Sequence, residues 1–293
     1  MKAFKSIHPA TAMFYFLSVL LVAMFTNHPV LLIEALAGAV CFFTILERGK
    51  GFLRNIAFYV PLFILIAVTN PLFSHNGVTP LFFMNGNAVT KEAILYGAAI
   101  AVMLIAVIHW FKCYSLIMTS DKFLYLFGKA IPKLSLILSM ALRVIPMYRK
   151  QIKRVNRTQK AMGLYTSKSF IDKFRSASRV FYIMIMWSLE NAVETGESMR
   201  ARGYGLKGRT NFSLFRFTQR DGVVLGMSAV LTATVLAGQI LGGSDFYFYP
   251  RITAIGTSWS SLLIYFAFGT LTLLPFIMEM EENLKWTYFV SKI

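Results

Sequence analysis

Glu281 and Glu282 are the side chains in this sequence best placed for acid–base chemistry, because the pair follows a long apolar stretch and meets a membrane boundary. Paired carboxylates there could support hydrolysis inside the bilayer if histidines at membrane depth and a nearby arginine completed the site. The next residues, Asn283 to Trp286, contain no arginine. A solvated cluster of interfacial charges is the simpler interpretation of the pair.

Other catalytic or metal-binding patterns are weak. His8, His28, His75 and His109 are scattered along the chain without metal-ligand spacing. The sequence has no Gly-rich phosphate loop followed by Lys-Ser/Thr, so we expect no ATP hydrolysis, no cofactor and no metal in this chain. Glu34 is the clear acidic residue in the middle of a predicted span, and one such residue is weak support for an ion pathway.

The elements that position these residues are predicted to be membrane helices. Of the 293 residues, 56% are hydrophobic, and the mean hydropathy is +0.59, which is too apolar for an ordinary soluble domain. The sequence predicts an all-α integral membrane protein with about six transmembrane helices, each near the length that crosses a bilayer. The predicted spans are Ala12–Phe25, Pro29–Leu46, Leu53–Leu72, Ala93–Phe111, Gly222–Leu241 and Trp259–Met278.

Charge divides the chain into three parts. The stretch Lys112–Asp221 holds 21 of the 30 basic residues and only six acidic ones, so it carries 15 of the 17 net positive charges. Positive charge stays on the cytoplasmic side of membranes, which predicts a cytoplasmic region at 112–220, membrane regions at 1–111 and 221–293, and cytoplasmic termini. We expect this multi-pass protein in a cell membrane, touching lipid and no nucleic acid.

Two segments are predicted to be outer loops, Phe73–Lys91 and Gly242–Thr257. Both combine turn residues such as Asn85-Gly86 with several aromatic residues. An aromatic belt at the membrane interface explains this composition, and a ligand-binding role remains open.

The basic region is predicted to contain two long amphipathic helices. The first begins at Pro132, changes from apolar to basic residues along its length, and stops at Gly163. The second begins near Ser169 and closes at two glycines after Ala201. An acidic stripe on it predicts an ion pair between Glu197 and Arg200. One face of the second helix is predicted to hold Phe170, Phe174, Ala177, Phe181, Met184, Ser188 and Ala192.

Both helices end in the pattern Ala-X-Gly, about 40 residues apart. The two ends are Ala161-Met162-Gly163 and Ala201-Arg202-Gly203. Taken alone, an arginine at a helix C-terminus complements the helix dipole. The recurrence favours a docking device made of two exposed ends that lie side by side.

These segments resemble a known family. Glu190–Ala192 and Ser198–Gly205 closely resemble the second coupling-helix motif of the transmembrane T component of energy-coupling factor (ECF) transporters, a family that includes the CbiQ-type cobalt-transport proteins. Gln159–Gly163 is similar to the family's first Ala-Arg-Gly motif, and Asn70–Phe73 is also similar. The second motif is the most specific of these matches.

The resemblance implies a membrane scaffold that binds two cytoplasmic ATPase subunits, which carry ATP and Mg²⁺, and one small membrane substrate-binding S component. Arg202 would enter a groove of one ATPase and the first helix end would enter the other, so that ATP hydrolysis drives uptake of a vitamin or a transition metal such as cobalt or nickel. Met162 stands where the family usually has arginine. Either it packs in an apolar groove, or Arg157 or Lys160 supplies the charge. The alternative function is an intramembrane enzyme of the CAAX-protease type.

Overall fold

Helices form nearly all of the regular structure. The computed structural model describes residues 3–47, 52–74, 76–84, 87–164, 169–206 and 215–291. These residues form ten helices and one β-hairpin, which confirms the all-α prediction in its main feature. The elements are α1 (Ala3–Ser6), α2 (Pro9–Phe25), α3 (Pro29–Glu47), α4 (Phe52–Phe73), β1 (Pro80–Met84), β2 (Asn87–Thr90), α5 (Lys91–Ile117), α6 (Ser120–Ala130), α7 (Pro132–Ala161), α8 (Phe170–Ala201), α9 (Gln219–Ile240) and α10 (Trp259–Val290).

The chain divides into two compact units. Met1–Lys122 and Phe215–Ile293 form one, here called the membrane unit, and Phe123–Leu214 forms the other, here called the basic unit. The membrane unit contains α1 to α5, the hairpin, α9 and α10, whereas the basic unit contains α7, α8 and most of α6.

Five helices in the described part of the chain, α3, α4, α5, α9 and α10, are long and apolar enough to cross a membrane. The helix α2 is apolar but has only 17 residues, about 26 Å at 1.5 Å per residue. The number of spans reaches the predicted value of about six only if α2 also crosses the membrane. The helix α10 runs 12 residues beyond the predicted end at Met278, because hydropathy locates the apolar part of a helix and not its end.

Close helix crossings organise the membrane unit. The helix α5 packs against α4 and α3, α3 packs against α10, and α9 packs against α10 and α2. A β-carbon on Gly38 of α3 would lie 2.6 Å from the β-carbon of Thr272 in α10. A β-carbon on Gly97 of α5 would lie 2.6 Å from the carbonyl oxygen of Ala67 in α4. Glycine is therefore required at both crossings.

Aromatic side chains fill the centre of the membrane unit. Trp110 is fully buried, with its ring 6.1 to 6.3 Å from the rings of Tyr15, Phe16 and Phe42. Its indole Nε1 donates a hydrogen bond of 3.0 Å to the carbonyl of Ala35 in α3. Burial and this bond together fix α5 against α2 and α3.

The short helix α1 is held by charged side chains from distant segments. Lys122 Nζ donates to the carbonyl oxygens of Lys5 and Ile7 at 2.7 and 3.3 Å. The backbone nitrogen of Phe4 donates to Glu279 Oε1 at 3.0 Å. Lys122 and Glu279 are both buried, and these bonds give each charge a polar partner.

A β-hairpin occupies part of the predicted loop Phe73–Lys91. The strands β1 and β2 are antiparallel, with Phe82 opposite Val89 and Phe83 opposite Ala88. Near its base, Thr79 donates through its hydroxyl to the carboxylate of Glu92 at 2.7 and 2.8 Å. The turn residues that suggested a loop are typical of hairpins as well, and Asn85 and Gly86 lie outside the described residues.

Candidate docking site at two helix ends

The helices α7 and α8 form an antiparallel pair. Near the middle of α7, the Tyr148 hydroxyl bonds the Ser188 hydroxyl, and the Tyr148 ring lies 5.2 Å from that of Trp187. At the connection, Ser176 Oγ donates to the carbonyl of Leu164 at 3.3 Å. Ser176 was not singled out from the sequence, because a small polar residue in a helix has no periodic signal.

The end of α7 has the full pattern of a glycine-capped helix. Met162 is the C-cap residue, and Gly163 follows with φ +71°. The nitrogen of Gly163 donates to the carbonyl of Lys160 at 3.0 Å, and the nitrogen of Leu164 donates to that of Gln159 at 3.1 Å. These two bonds define the Schellman motif, in which the residue after the C-cap adopts a left-handed conformation.

The end of α8 repeats this pattern. Arg202 is the C-cap residue, and Gly203 follows with φ +78°. The nitrogen of Gly203 donates to the carbonyl of Arg200 at 3.0 Å, and the nitrogen of Tyr204 donates to that of Met199 at 3.0 Å. Each hydrogen bond of the first end therefore has an equivalent 40 residues later in the chain.

The two ends lie far apart, which corrects the expectation that they lie side by side. The first end contacts Ser176 through Leu164. Arg202 lies 26 residues beyond Ser176, at the far end of α8, which corresponds to about 39 Å at 1.5 Å per residue. Since the two helices are antiparallel, their C-terminal ends point to opposite ends of the pair.

Both C-cap side chains are available to a partner. Met162 is 69% exposed, and Arg202 is exposed and forms no ion pair or hydrogen bond through its guanidinium with the described residues. Arg157 and Lys160, the other candidates at the first end, are exposed as well.

The acidic residues of α8 do not neutralise this end. The predicted ion pair between Glu197 and Arg200 is wrong: both side chains are exposed and unpaired within the part of the chain that the structure describes. Exposed ion pairs add little stability, so an open geometry costs little here. The acidic stripe and the C-cap arginine are both left for contacts with other molecules.

The helix α8 keeps most of its apolar surface uncovered. Ser176 and Met184 are buried, whereas Phe170, Phe174 and Phe181 remain exposed. The predicted face therefore does not form a single core-facing stripe. A large exposed apolar surface marks an interaction site with a protein or a membrane.

The competing sites receive no support from the geometry. Glu281 pairs with Lys285 at an exposed position, and the half-buried Glu282 pairs with exposed Arg220 at 3.2 Å. Within the described ranges, no group of three His, Cys, Asp or Glu side chains is placed to hold a metal ion. Glu34 lies on α3 against α10, where a β-carbon added to Gly269 would lie 3.6 Å from its carboxyl carbon.

The fold and the two helix ends define a multi-pass membrane protein with a basic helical unit that carries two matching exposed caps. A family model described as CbiQ, cobalt transport protein, matches residues 3–214. This chain belongs to that family, as the resemblance in its sequence predicted.

Individual relatives agree with this assignment. Proteins named energy-coupling factor transporter transmembrane protein EcfT are similar over part of the chain. The protein from Brevibacillus brevis is 30% identical over 110 residues, that from Listeria innocua 33% over 102, and that from Bacillus selenitireducens 29% over 113. The matches cover 37%, 34% and 38% of this chain and 42%, 38% and 42% of those relatives. The similarity to these relatives therefore spans about two fifths of their length.

Proposed function

We propose that this chain is the energy-coupling membrane subunit of an ECF-type importer. In this proposal two cytoplasmic ATPase subunits bind and hydrolyse ATP with Mg²⁺, and one small membrane S component binds the substrate. The chain itself is non-catalytic and transmits motion between them. The observation that carries the proposal is the pair of matching helix ends, with Met162 and Arg202 exposed at equivalent positions.

The spacing of these ends suits two separate partners. Ends about 39 Å apart along α8 leave room for one ATPase at each, which would be difficult if the ends were adjacent. A guanidinium at a rigid helix end favours a bidentate contact with carboxylates or carbonyls. A methionine favours an apolar groove. This difference in chemistry favours two non-identical ATPase grooves.

The orientation follows from charge. The basic unit faces the cytoplasm together with both termini, because positive residues are retained on that side. The exposed aromatic side chains of α8, Phe170, Phe174 and Phe181, are then available to the S component and to membrane lipid at the inner face. The substrate is a vitamin or a transition metal such as cobalt or nickel, and the S component selects it.

The test is co-purification from detergent-solubilised native membranes. Tagged wild-type chain and Arg202→Glu are compared, captured proteins are identified by mass, and ATP hydrolysis by the eluate is measured. We expect wild type to retain ATPase subunits and Arg202→Glu to lose one of them. Arg200→Glu is the matched control, since it places the same charge change in the same helical turn and has a similar effect on the helix dipole.

Two different outcomes would contradict the contact by Arg202 and the importer function. Equal loss with Arg200→Glu would show a general effect of charge and not a contact by Arg202. Wild type that captures no nucleotide-hydrolysing partner would overturn the importer function altogether.

A further inference from the structure

A groove lies between α3, α4 and α5 in the membrane unit. Its volume is about 310 Å³, and its lining is almost wholly apolar. The groove exists because α4 packs on α5 and leaves a gap against α3. On α3, the groove is lined by Phe43, Val40 and Leu36, in order of increasing distance from the C-terminal end of α5. On α4, it is lined by Val60 and Phe63.

A cationic side chain stands at the mouth of this groove. Lys112 Nζ lies 4.8 Å from the centre of the Tyr59 ring and 5.9 Å from that of Phe43. Lys112 also lines an adjoining surface cavity of about 500 Å³ together with Glu47 and Ser115. Next to the groove, near the end of α5, these polar groups thus lie among apolar side chains such as Phe111 and Leu116, where a long side chain can reach the lipid headgroups.

One residue that lines the groove has a buried hydroxyl group. Tyr59 lines the groove and is only 7% exposed, and its hydroxyl oxygen forms no hydrogen bond with the described residues. Its ring stacks on His109 at 4.1 Å, which fixes the position of the side chain. A buried hydroxyl without a partner is unfavourable, so this group is placed to donate to a bound molecule.

We propose that this groove binds one glycerophospholipid, with an acyl chain between α3 and α4, the phosphate beside Lys112, and an ester or phosphate oxygen accepting from the Tyr59 hydroxyl. The groove extends along α3 from Leu36 to Thr44, a rise of about 12 Å, which suits an extended hydrocarbon chain. A transmembrane helix is about 10 Å wide and does not fit a groove of this volume. Free phosphate would leave the apolar part empty.

The test is native mass spectrometry of the full-length chain, delipidated in detergent and titrated with phosphatidylethanolamine. This lipid is the probe because its ammonium can face Glu47 while its phosphate faces Lys112. Diacylglycerol with the same acyl chains is the ligand control, since it lacks the phosphate. We expect one tightly held phospholipid per chain and no comparable retention of diacylglycerol.

Three variants locate the bound lipid. We expect Lys112→Gln to weaken binding about tenfold or more, because it removes the positive charge beside the phosphate. We expect Tyr59→Phe to weaken binding about three- to tenfold, because it removes one hydrogen-bond donor and little packing. Val60→Trp should fill the groove and abolish the tightly held lipid. Lys91→Gln is the matched control, because Lys91 is an exposed lysine at the opposite end of α5.

Unchanged binding in Lys112→Gln and Tyr59→Phe would overturn the proposal, and so would an equal loss in Lys91→Gln. Retention of a polypeptide in place of lipid would show that the groove is a protein interface and would also overturn it. Thermal unfolding of each variant in the same detergent checks that the fold is retained, and Tyr59→Phe keeps the test decisive if Val60→Trp unfolds.

Discussion

Met162 and Arg202 have nearly the same backbone conformation, with φ −79° and ψ 5° for the first and φ −82° and ψ 8° for the second. Each is followed by a glycine with positive φ and closes the same pair of hydrogen bonds. The two ends therefore differ in side-chain chemistry and not in cap geometry. An apolar, flexible side chain is presented at one end and a permanent charge at the other.

Exchanging these side chains should exchange the preferences of the two ends. We expect Met162→Arg and Arg202→Met each to weaken capture of one ATPase subunit by about tenfold, which corresponds to the loss of one well-made charged or apolar contact. Quantitative co-purification with each subunit measured separately checks this expectation. Loss of the same subunit in both variants would contradict an assignment of one end to each ATPase.

Alanine at the cap glycines should disturb the ends without changing any charge. An L-residue in the left-handed region costs about 1 kcal/mol or more, so Gly163→Ala and Gly203→Ala should each reduce partner capture at their own end. Gly203→Ala should have the larger effect, because its β-carbon would lie 3.0 Å from Leu206 Cδ1, whereas nothing lies within 4 Å at Gly163.

The matched control for these variants is Gly196→Ala in the interior of α8, where a β-carbon also meets nothing within 4 Å. Alanine favours helix at such a position, so stability should be unchanged or higher by up to about 1 kcal/mol. Reduced capture by Gly196→Ala would show that α8 must bend and that the cap itself is not decisive.

Much of this architecture could be predicted because it depends on local patterns. Hydropathy located α3 within one residue of its observed end at Glu47, and the glycines at 163 and 203 marked the ends of α7 and α8. A C-cap glycine signals its own conformation, so no knowledge of the remaining chain was needed.

Features that depend on distant contacts could not be predicted in this way. The separation of the two helix ends depends on the antiparallel pairing of α7 and α8, which contacts such as that between Ser176 and Leu164 define. The bond from Phe4 to Glu279 joins positions 275 residues apart. The unpartnered hydroxyl of Tyr59 becomes evident only when α4 is placed against α5.

The α3–α10 crossing provides a stability test. Gly38→Ala should destabilise the membrane unit by about 1–3 kcal/mol, because the new β-carbon would lie 2.6 Å from that of Thr272 and the helices would have to separate. Thermal unfolding in detergent measures the change. Gly226→Ala in α9 is the control, since nothing lies within 4 Å of its β-carbon, and a similar loss there would show that the effect is not specific to the crossing.

His28 should make stability depend on pH. It lies in the connection between α2 and α3 and is buried, and burial lowers its pKa below the ordinary value of about 6.5. The folded protein therefore binds a proton less readily than the unfolded chain. Stability from the neutral imidazole is complete above about pH 6.5 and is lost as the pH falls through the lower pKa of the folded state.

The variant His28→Gln removes this titration, so the fall in melting temperature between about pH 7 and pH 5 should become shallower than in wild type. The Tyr265 hydroxyl lies 2.9 Å from His28 Nε2. Tyr265→Phe removes that bond but keeps the imidazole, so its pH dependence should remain. Equal slopes in wild type and His28→Gln would show that other groups control the acid sensitivity.

The exposed aromatic residues on α8 also bear on how much of this subunit a cell can accumulate. A chain made without its partners displays Phe170, Phe174 and Phe181, and surfaces of this kind are recognised by chaperones and proteases. We therefore expect excess copies to be degraded. Synthesis of the partner proteins would then set the steady-state abundance of this chain, and equal subunit numbers would be maintained without matched rates of translation.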